Sequence, residues 1–528
     1  MQKTKYIFIT GGVASGLGKG ITAASLGRLL KSCGYKITNQ KFDPYINVDP
    51  GRMSPIQHGE VFVTDDGAQC DLDIGNYERF IDENLNINSN ITAGKIYQCV
   101  LEKELKGEYE GVTVQVVPHV TDYIQQRIRA IETTNPELDI VITEIGGTVG
   151  DFEGLPFLEA IRQLAFEIGR ENVLYIHVTL LPYLAKGGEI KTKPTQHSVK
   201  QLLSFGIQPD IIVCRTERKI SDEMKRKIAL YCNVSKDCII QNIDCECIYE
   251  VPLLLKEENF AEVVECKLGF ENRIPDLGDW RDLVNMHKKP DKKIKIALVG
   301  KYALRDAYLS LMEAIKAAGT ANKVGIEIDR IEAEDIEKEK EELLKGYDGI
   351  IIGGGFGERG YLGKILAAKF ARQNNIPCLG IGMGFHAMAI EFAKNVMGME
   401  NAQSQELNPD ANSKEAIIKY THDSNLRLGA FDIKIAKKTK AMDIYKEEII
   451  QERHRNRYEF NLNMIPRFEK HGMIFPGISG CGNYAEIMEM QGDNFYMGCA
   501  FHPEFKSRPN RPHGLFQEFV LAAIRQNA

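Results

Sequence analysis

A short apolar run, Tyr6-Ile7-Phe8-Ile9-Thr10, passes directly into the loop Gly11-Gly12-Val13-Ala14-Ser15-Gly16-Leu17-Gly18-Lys19-Gly20-Ile21-Thr22, and a helical pattern follows through Leu30. No other feature constrains the fold as much. A helix that begins where a strand ends must run back over that strand, and the next strand then pairs parallel to the first. Similar runs at 36–41, 138–143, 173–178 and 210–214, separated by helical stretches, predict a mostly parallel, doubly wound sheet covered on both faces. Between 268 and 293 the pattern weakens into Gly, Pro and charged residues around the only tryptophan, Trp280. A strand at 294–300 then opens a second block that includes Asp348-Gly349-Ile350-Ile351-Ile352-Gly353-Gly354-Gly355. The expectation is an α/β protein of two domains, 1–267 and 294–528, joined by a linker at 268–293. Two domains also suit 528 residues, because single cores stop growing at roughly 250–300.

The loop between Gly11 and Thr22 carries the first chemistry. Backbone N–H groups in a glycine-rich turn at a helix start, together with a lysine, suit a polyphosphate. The loop is P-loop-like but not ordinary: five residues separate Gly12 from Gly18, and Gly20 stands where Ser or Thr is usual. Two acidic stretches accompany it, Asp66-Gly67-Ala68-Gln69-Cys70-Asp71-Leu72-Asp73 and Thr143-Glu144-Ile145-Gly146-Gly147-Thr148-Val149-Gly150-Asp151. The second follows an expected strand, at the edge where α/β sheets collect ligands. Asp73 and Glu144 are the expected ligands of Mg²⁺, a hard ion that takes carboxylate and phosphate oxygens. A third stretch, Gly187-Gly188-Glu189-Ile190-Lys191-Thr192-Lys193-Pro194-Thr195-Gln196-His197-Ser198, mixes lysines, hydroxyls and an amide as a second phosphorylated ligand requires; a solvated charge run is the alternative.

Charge and composition exclude several classes. Lys and Arg number 66 against 73 Asp and Glu, a net charge of −7, which gives no electrostatic case for nucleic acid as the main partner. No apolar run reaches the roughly 18–20 residues of a membrane span, and the start Met1-Gln2-Lys3-Thr4-Lys5 is polar. A cytoplasmic protein is expected, and twelve cysteines without paired metal-type spacing agree with reduced thiols. Cys238, Cys245 and Cys247 are read as buried or incidental thiols rather than a metal site.

In the second block, Ile376-Pro377-Cys378-Leu379 leads into Gly380-Ile381-Gly382-Met383-Gly384-Phe385-His386 and a helix through Glu391. A strand–elbow–helix of this kind presents a nucleophile at the positive end of the helix. Its setting resembles a glutamine amidotransferase, where the elbow holds a cysteine. Here the centre is Gly382, which makes the turn but cannot make a thioester. Cys378 is read as a core thiol, and His386 as neither nucleophile nor metal ligand.

Taken with Lys41-Phe42-Asp43-Pro44-Tyr45-Ile46-Asn47-Val48-Asp49-Pro50-Gly51, Asp71-Leu72-Asp73-Ile74-Gly75, Gly354-Gly355-Phe356-Gly357 and His502-Pro503-Glu504-Phe505, these motifs make the chain resemble the CTP synthase family along nearly its full length. The resemblance implies an N-terminal amidoligase domain and a C-terminal class I glutaminase-like domain. The implied reaction phosphorylates the uracil O4 of UTP with ATP and displaces that phosphate with ammonia to give CTP. It places Ser15, Gly16, Leu17, Gly18, Lys19, Gly20, Ile21, Asp73, Arg215 and Asp244 at ATP, with Lys19 and Lys41 catalytic. It places Ser15, Gln115, Asp151, Glu153, Lys191, Thr192, Lys193, Gln196 and Lys227 at UTP or CTP, and Asp73 and Glu144 at Mg²⁺. His502 and Glu504 match the glutaminase base and its orienting carboxylate, and Gly355, Glu406 and Arg457 match its oxyanion loop and glutamine contacts. The family further implies GTP as an effector, a homotetramer and filaments.

Three departures stand out: Asn76 beside the acidic motif, Glu110 in Tyr109-Glu110-Gly111, and the elbow, where Gly382 replaces cysteine and His386 replaces glutamine. The leading expectation is therefore a CTP-forming ligase fed by free ammonia or an external ammonia source. A ligase with an altered pyrimidine nucleotide or nitrogen donor, and a non-catalytic paralogue that co-assembles with an active synthase, are the alternatives. Changes at Met383, Phe385 and His386 together argue against a single engineered substitution at Gly382.

Overall fold

The computed structural model describes residues 4–290, 292–410, 416–420, 426–492 and 494–526, so Met1–Lys3 of the polar start lie outside the described residues. The chain forms two compact units, one of 1–53 and 70–284, the other of 54–69 and 285–528. Both are α/β, and among the described residues no helix is long and apolar enough to cross a membrane.

Unit 1 is built on seven strands: β1 (Lys5–Gly11), β2 (Ile37–Asp43), β3 (Asn90–Thr92), β4 (Ile140–Ile145), β5 (Val173–Leu180), β6 (Ile211–Thr216) and β7 (Ile239–Ile243). They are all parallel, in the order β7-β6-β5-β1-β4-β2-β3. Strands covered on both faces must be apolar on both, which is why β1 and β5 are nearly unbroken hydrophobic runs. The exception is β2, whose Asn39, Gln40, Lys41 and Asp43 are all buried. A strand that buries this much polarity must answer it locally, and Gln40 Oε1 accepts from Thr143 Oγ1 at 2.9 Å while Asn39 Nδ2 donates to Ala23 O at 3.0 Å. Helix α1 (Lys19–Ser32) follows β1 after Gly18, whose φ of 83° favours glycine, and buries Ala23, Ala24, Leu26, Leu29 and Leu30. Helix α2 (Leu72–Ile81) is capped by the Asp71 carboxylate, which accepts from Asp73 N.

On β5, His177 is fully buried between two hydroxyls, with Nδ1 2.9 Å from Thr10 Oγ1 and Nε2 2.8 Å from Ser198 Oγ. Burial, with Lys19 nearby, pushes its pKa down to about 3. The folded protein thus holds this imidazole neutral while an unfolded chain protonates it below about 6.5. Its contribution to stability is complete above that pH and is lost as pH falls towards 3, by up to about 5 kcal/mol. We expect unfolding midpoints that drop between pH 6.5 and 4, and a smaller drop in His177→Gln; equal drops would contradict this.

The main sheet of unit 2 has nine strands: β8 (Lys292–Gly300), β9 (Val324–Glu332), β10 (Gly349–Ile352), β11 (Cys378–Ile381), β12 (Arg427–Ile435), β13 (Ile449–Asn456), β14 (Met473–Ser479), β15 (Ala485–Met490) and β16 (Tyr496–Cys499). Their order is β9-β8-β10-β11-β16-β15-β14-β12-β13, parallel through β16 and antiparallel beyond it. The stretch 268–293 contains helix α3 (Gly278–Lys288). Only Trp280, Leu283 and Val284 are buried on it, so its apolar stripe is thin in the sequence. Trp280 donates its indole N–H to Tyr249 O at 2.7 Å, and the division between the units falls after Val284 within this helix.

Residues 54–69 belong to unit 2 although the chain around them belongs to unit 1. Glu60 accepts from Ser310 N at 3.0 and 2.9 Å and so caps helix α4 (Leu309–Ala321). Asp65 binds the buried Arg453 guanidinium at 2.5 Å, and Val63 O accepts from the same side chain at 3.1 Å. The backbones at Gly67 and Gly429 pass so closely that a Cβ on Gly429 would lie 2.7 Å from Asp65 O.

Candidate active site

At the carboxyl edge of the unit 1 sheet, the ends of β1, β2, β4 and β6 bring together residues far apart in sequence. Lys41, near the end of β2, forms ion pairs with Asp73 at 2.5 Å, Asp71 at 2.9 Å and Asp43 at 3.7 Å. Glu144, near the end of β4, is buried and accepts from the Tyr77 hydroxyl. Lys19, the first residue of α1, donates to Gly147 O on the loop after β4. Arg215 at the end of β6 donates to Gly16 O at 3.0 Å and pairs with Asp244 at 2.9 Å, closing the far side of the loop. The structure therefore gathers Gly16, Lys19, Lys41, Asp73, Glu144, Arg215 and Asp244 at one edge.

Gly20 explains the unusual spelling of the loop. A Cβ there would lie 2.3 Å from Asp73 Oδ1, so the position of the ordinary Ser or Thr is filled by the Asp73 carboxylate. Asn76 donates to Asp73 Oδ1 at 3.1 Å and accepts from Arg79 at 2.8 Å, which fixes the orientation of that carboxylate.

Four carboxylates face two lysines here, and their protonation shows the strain of crowding. Burial disfavours the Lys41 charge, yet Asp71, Asp73 and Asp43 overturn that and hold its ammonium well above the usual range. Burial lowers Lys19. Asp73 stays below the usual carboxylate range despite burial, held there by Lys41, Asn76 and Lys19. Glu144 is pushed up to about 7 by burial and by the like charge of Asp73, against the pull of Lys41. Carboxylates this close cannot all ionise without added positive charge. Among the described residues no three ligating side chains converge into a metal cage. Asp73 and Glu144 instead supply hard oxygen donors of the kind Mg²⁺ shares with phosphates and water, so the residues present fit that ion.

The remaining expected nucleotide residues are more dispersed. Ser15 lies exposed on the loop, with Leu17 buried beneath it and Ile21 half-buried on α1. Gln115, Asp151, Glu153, Lys193 and Lys227 are exposed, and Lys191 pairs with Glu189. Thr192 and Gln196 are buried and hydrogen-bond to each other at 3.2 Å. Asp151 accepts from Thr148 N at 3.0 Å, and Lys193 lies over the Tyr231 ring. Glu110 is exposed with φ 52°.

In unit 2, Gly382 sits between β11 and helix α6 (Met383–Asn395) with φ 55° and ψ −111°. The elbow keeps its shape without a side chain. A Cβ at this position would lie 3.4 Å from His502 Nε2, an ordinary contact distance. His502 Nδ1 is 2.8 Å from Glu504 Oε1, and the His502 ring stacks on Phe505. Glu406 accepts from Gly357 N at 2.6 Å, and Arg457 lies over the Phe356 ring. A cavity of about 40 Å³ joins Gly355, Gly382, His386, Glu406, Arg457 and His502. Cys378 is buried on β11 and burial holds its thiol protonated, so it offers no substitute thiolate.

Two lysines escaped the sequence reading. Lys364 on helix α5 (Tyr361–Gln373) is fully buried and donates to Gly353 O and Gly354 O at 2.5 and 2.8 Å, while Lys301 holds the carbonyls of Phe356 and Gly357. Burial lowers both, Lys301 to about 8. They grip the glycine loop from its carbonyl side. The only sequence sign was that Lys301 directly follows the strand β8.

The family profile "CTP synthase N-terminus" matches residues 5–270, and "Glutamine amidotransferase class-I" matches residues 303–522. A CTP synthase of Ruminiclostridium cellulolyticum is 54% identical over 529 residues, covering 99% of both chains. A CTP synthase of Bacillus mycoides is 54% identical over 532 residues, again covering 99% of both. The solved glutaminase domain of Trypanosoma brucei CTPS with bound acivicin is 33% identical, spans 44% of this chain and 94% of that one, and has a TM-score of 0.42. With one profile over each half and relatives aligned from end to end, the chain belongs to the CTP synthase family of ATP-dependent ligases.

Proposed function

We propose that this protein makes CTP from UTP, ATP and ammonia, and that its glutaminase half no longer cleaves glutamine. The observation that carries the second clause is Gly382: the elbow, the His502–Glu504 pair and the glycine loop all persist around a position with no nucleophile. A general base without its nucleophile loses nearly all of the catalytic gain, because such groups act as a unit.

In the ligase half, the N–H groups of the loop and Lys19 hold the ATP phosphates, and Arg215 with Asp244 closes the loop around the nucleotide. Lys41 directs its charge at the phosphoryl group as it passes to the uracil O4. Asp73 and Glu144 hold Mg²⁺, which when bound neutralises charge on the phosphate oxygens. Phosphoryl transfer depends on such positioning and charge neutralisation. Ammonia then adds at C4 and inorganic phosphate leaves, so UTP, ATP and ammonia give CTP, ADP and phosphate. Gln115, Asp151, Glu153, Lys191, Thr192, Lys193, Gln196 and Lys227 are assigned to UTP and to CTP as product. GTP as effector, a homotetramer able to form filaments and a cytoplasmic setting belong to the same reading.

His502 faces only the silent elbow. His502→Ala is expected to leave ammonium-driven CTP formation within about twofold of the parent, read by chromatography of the nucleotides. A loss beyond tenfold would show that unit 2 still takes part in the chemistry. The ammonium-driven rate should also rise with pH as the fraction of neutral NH₃ grows, and a flat profile would point to another nitrogen source.

A further inference from the structure

We infer that His177 is a positioning residue for the ligase reaction: its imidazole ties the end of β1 to the helix Lys193–Ser204, and so sets how the loop after β1 stands relative to the residues around the start of that helix. This rests on the ligase reading above, in which the loop takes the ATP phosphates and Lys191, Thr192, Lys193 and Gln196 take UTP.

The link is built from β1 and β5. Thr10 and His177 are register partners on these two strands, and Thr10 directly precedes the glycine loop. His177 meets Thr10 Oγ1 through Nδ1 at 2.9 Å and Ser198 Oγ through Nε2 at 2.8 Å. Thr10 Oγ1 also lies 3.5 Å from Ile176 O, which can only accept. The arrangement that satisfies every group runs in one direction: the Ser198 hydroxyl donates to Nε2, Nδ1–H donates to Thr10, and the Thr10 hydroxyl donates to Ile176 O.

The loop backbone rests directly on this chain. A Cβ on Gly12 would lie 1.8 Å from Ser198 Oγ and 3.3 Å from His177 Nε2. Gly12 N donates to Val178 O at 3.1 Å, and Gly11 O accepts from Val149 N at 2.8 Å, which ties the same turn to the stretch leading to Asp151. On the same face of β5, Thr179 meets the helix again: Thr195 Oγ1 lies 3.1 Å from both Thr179 Oγ1 and Leu180 O. A strand covered on both faces is packed well by valine or leucine, which would avoid the cost of burying an imidazole. What the imidazole adds is a fixed distance and direction between loop and helix. Each nucleotide would keep its own contacts without it, so the loss should appear in turnover, where a misplacement of about 1 Å costs up to roughly 100-fold.

The test is steady-state kinetics of ammonium-driven CTP formation, with folding checked by thermal melting, for the parent, His177→Phe, His177→Gln, Ser198→Ala and the double variant His177→Phe with Ser198→Ala. His177→Phe fills the space but breaks both hydrogen bonds, and its kcat should fall at least about 20-fold while KM for ATP and for UTP each stay within about threefold. His177→Gln restores an acceptor towards Ser198 and should recover at least about fivefold of that loss. Ser198→Ala should lower kcat at least about fivefold, and the double variant should lie within about threefold of His177→Phe, because both changes remove the same bond. A role in folding alone would lower melting temperatures without this split between kcat and KM. A kcat within about threefold of the parent in folded His177→Phe, or in Ser198→Ala should the former not fold, would overturn the inference. Losses carried by KM, no recovery in His177→Gln, or losses that multiply in the double variant would overturn it equally. A parent that makes no CTP from ammonium would instead overturn the ligase reading, and the inference with it.

Discussion

Gly382→Cys is expected to create glutamine-dependent CTP formation in a chain that otherwise shows none, with a gain of at least about 100-fold over background. The geometry for this is in place. The introduced Cβ would make ordinary contact, 3.4 Å from His502 Nε2, and its thiol would stand at the start of α6 beside a base already oriented by Glu504. The backbone at 382 has φ 55°, a conformation that glycine adopts freely and cysteine only under strain. The variant should therefore lose about 1–2 kcal/mol of stability while gaining activity. His386 limits the gain, because its buried ring fills the turn, and Gly382→Cys with His386→Gln should go further. Glutamine-dependent product and covalent labelling by an electrophilic glutamine analogue are the two readouts. Absence of both in a folded variant would show that the elbow has lost more than its nucleophile.

The second large effect concerns the acidic edge of unit 1. Asp73→Asn and Lys41→Met are each expected to lower ammonium-driven CTP formation by roughly 10³-fold, since each removes a charge placed for the transferring phosphoryl group. Their effects on stability should differ. Lys41→Met leaves Asp43, Asp71 and Asp73 facing one another without their shared cation, and breaking a buried pair from one side costs about 3–5 kcal/mol. Asp73→Asn leaves Lys41 paired with Asp71 and keeps an acceptor beside Asn76, so it should melt close to the parent. Loss of activity in the stable Asp73→Asn protein then separates chemistry from folding. Activity within tenfold of the parent in either variant would remove Lys41 and Asp73 from the reaction.

The parallel sheet of unit 1 was legible because its strands are buried on both faces and read as apolar runs, each followed by a helix. The sequence also put the glycine loop after β1 and the acids Asp73 and Glu144 at strand ends, and the structure brings them to one sheet edge. The course of residues 54–69 was not. Asp65 and Arg453 are 388 positions apart, and nothing in local periodicity tells a strand which unit it will join. Helix α3 was hidden by its thin stripe of Trp280, Leu283 and Val284 among charges. Lys364 was hidden because lysine normally signals surface, whereas here backbone carbonyls of a glycine loop take its hydrogens. The expected UTP residues came from resemblance, and only Thr192 and Gln196 among them hydrogen-bond to each other. At the elbow the sequence placed Gly382 at the centre of the turn, but not the burial of His386 or the 3.4 Å between a Cβ there and His502 Nε2.

The most direct test of a working ligase joined to a silent glutaminase is nucleotide chromatography after incubating the purified protein with ATP, Mg²⁺ and UTP, with ammonium chloride in one sample and glutamine plus GTP in another. CTP in the ammonium sample alone is the predicted result. CTP from glutamine, or no CTP from ammonium, would contradict it.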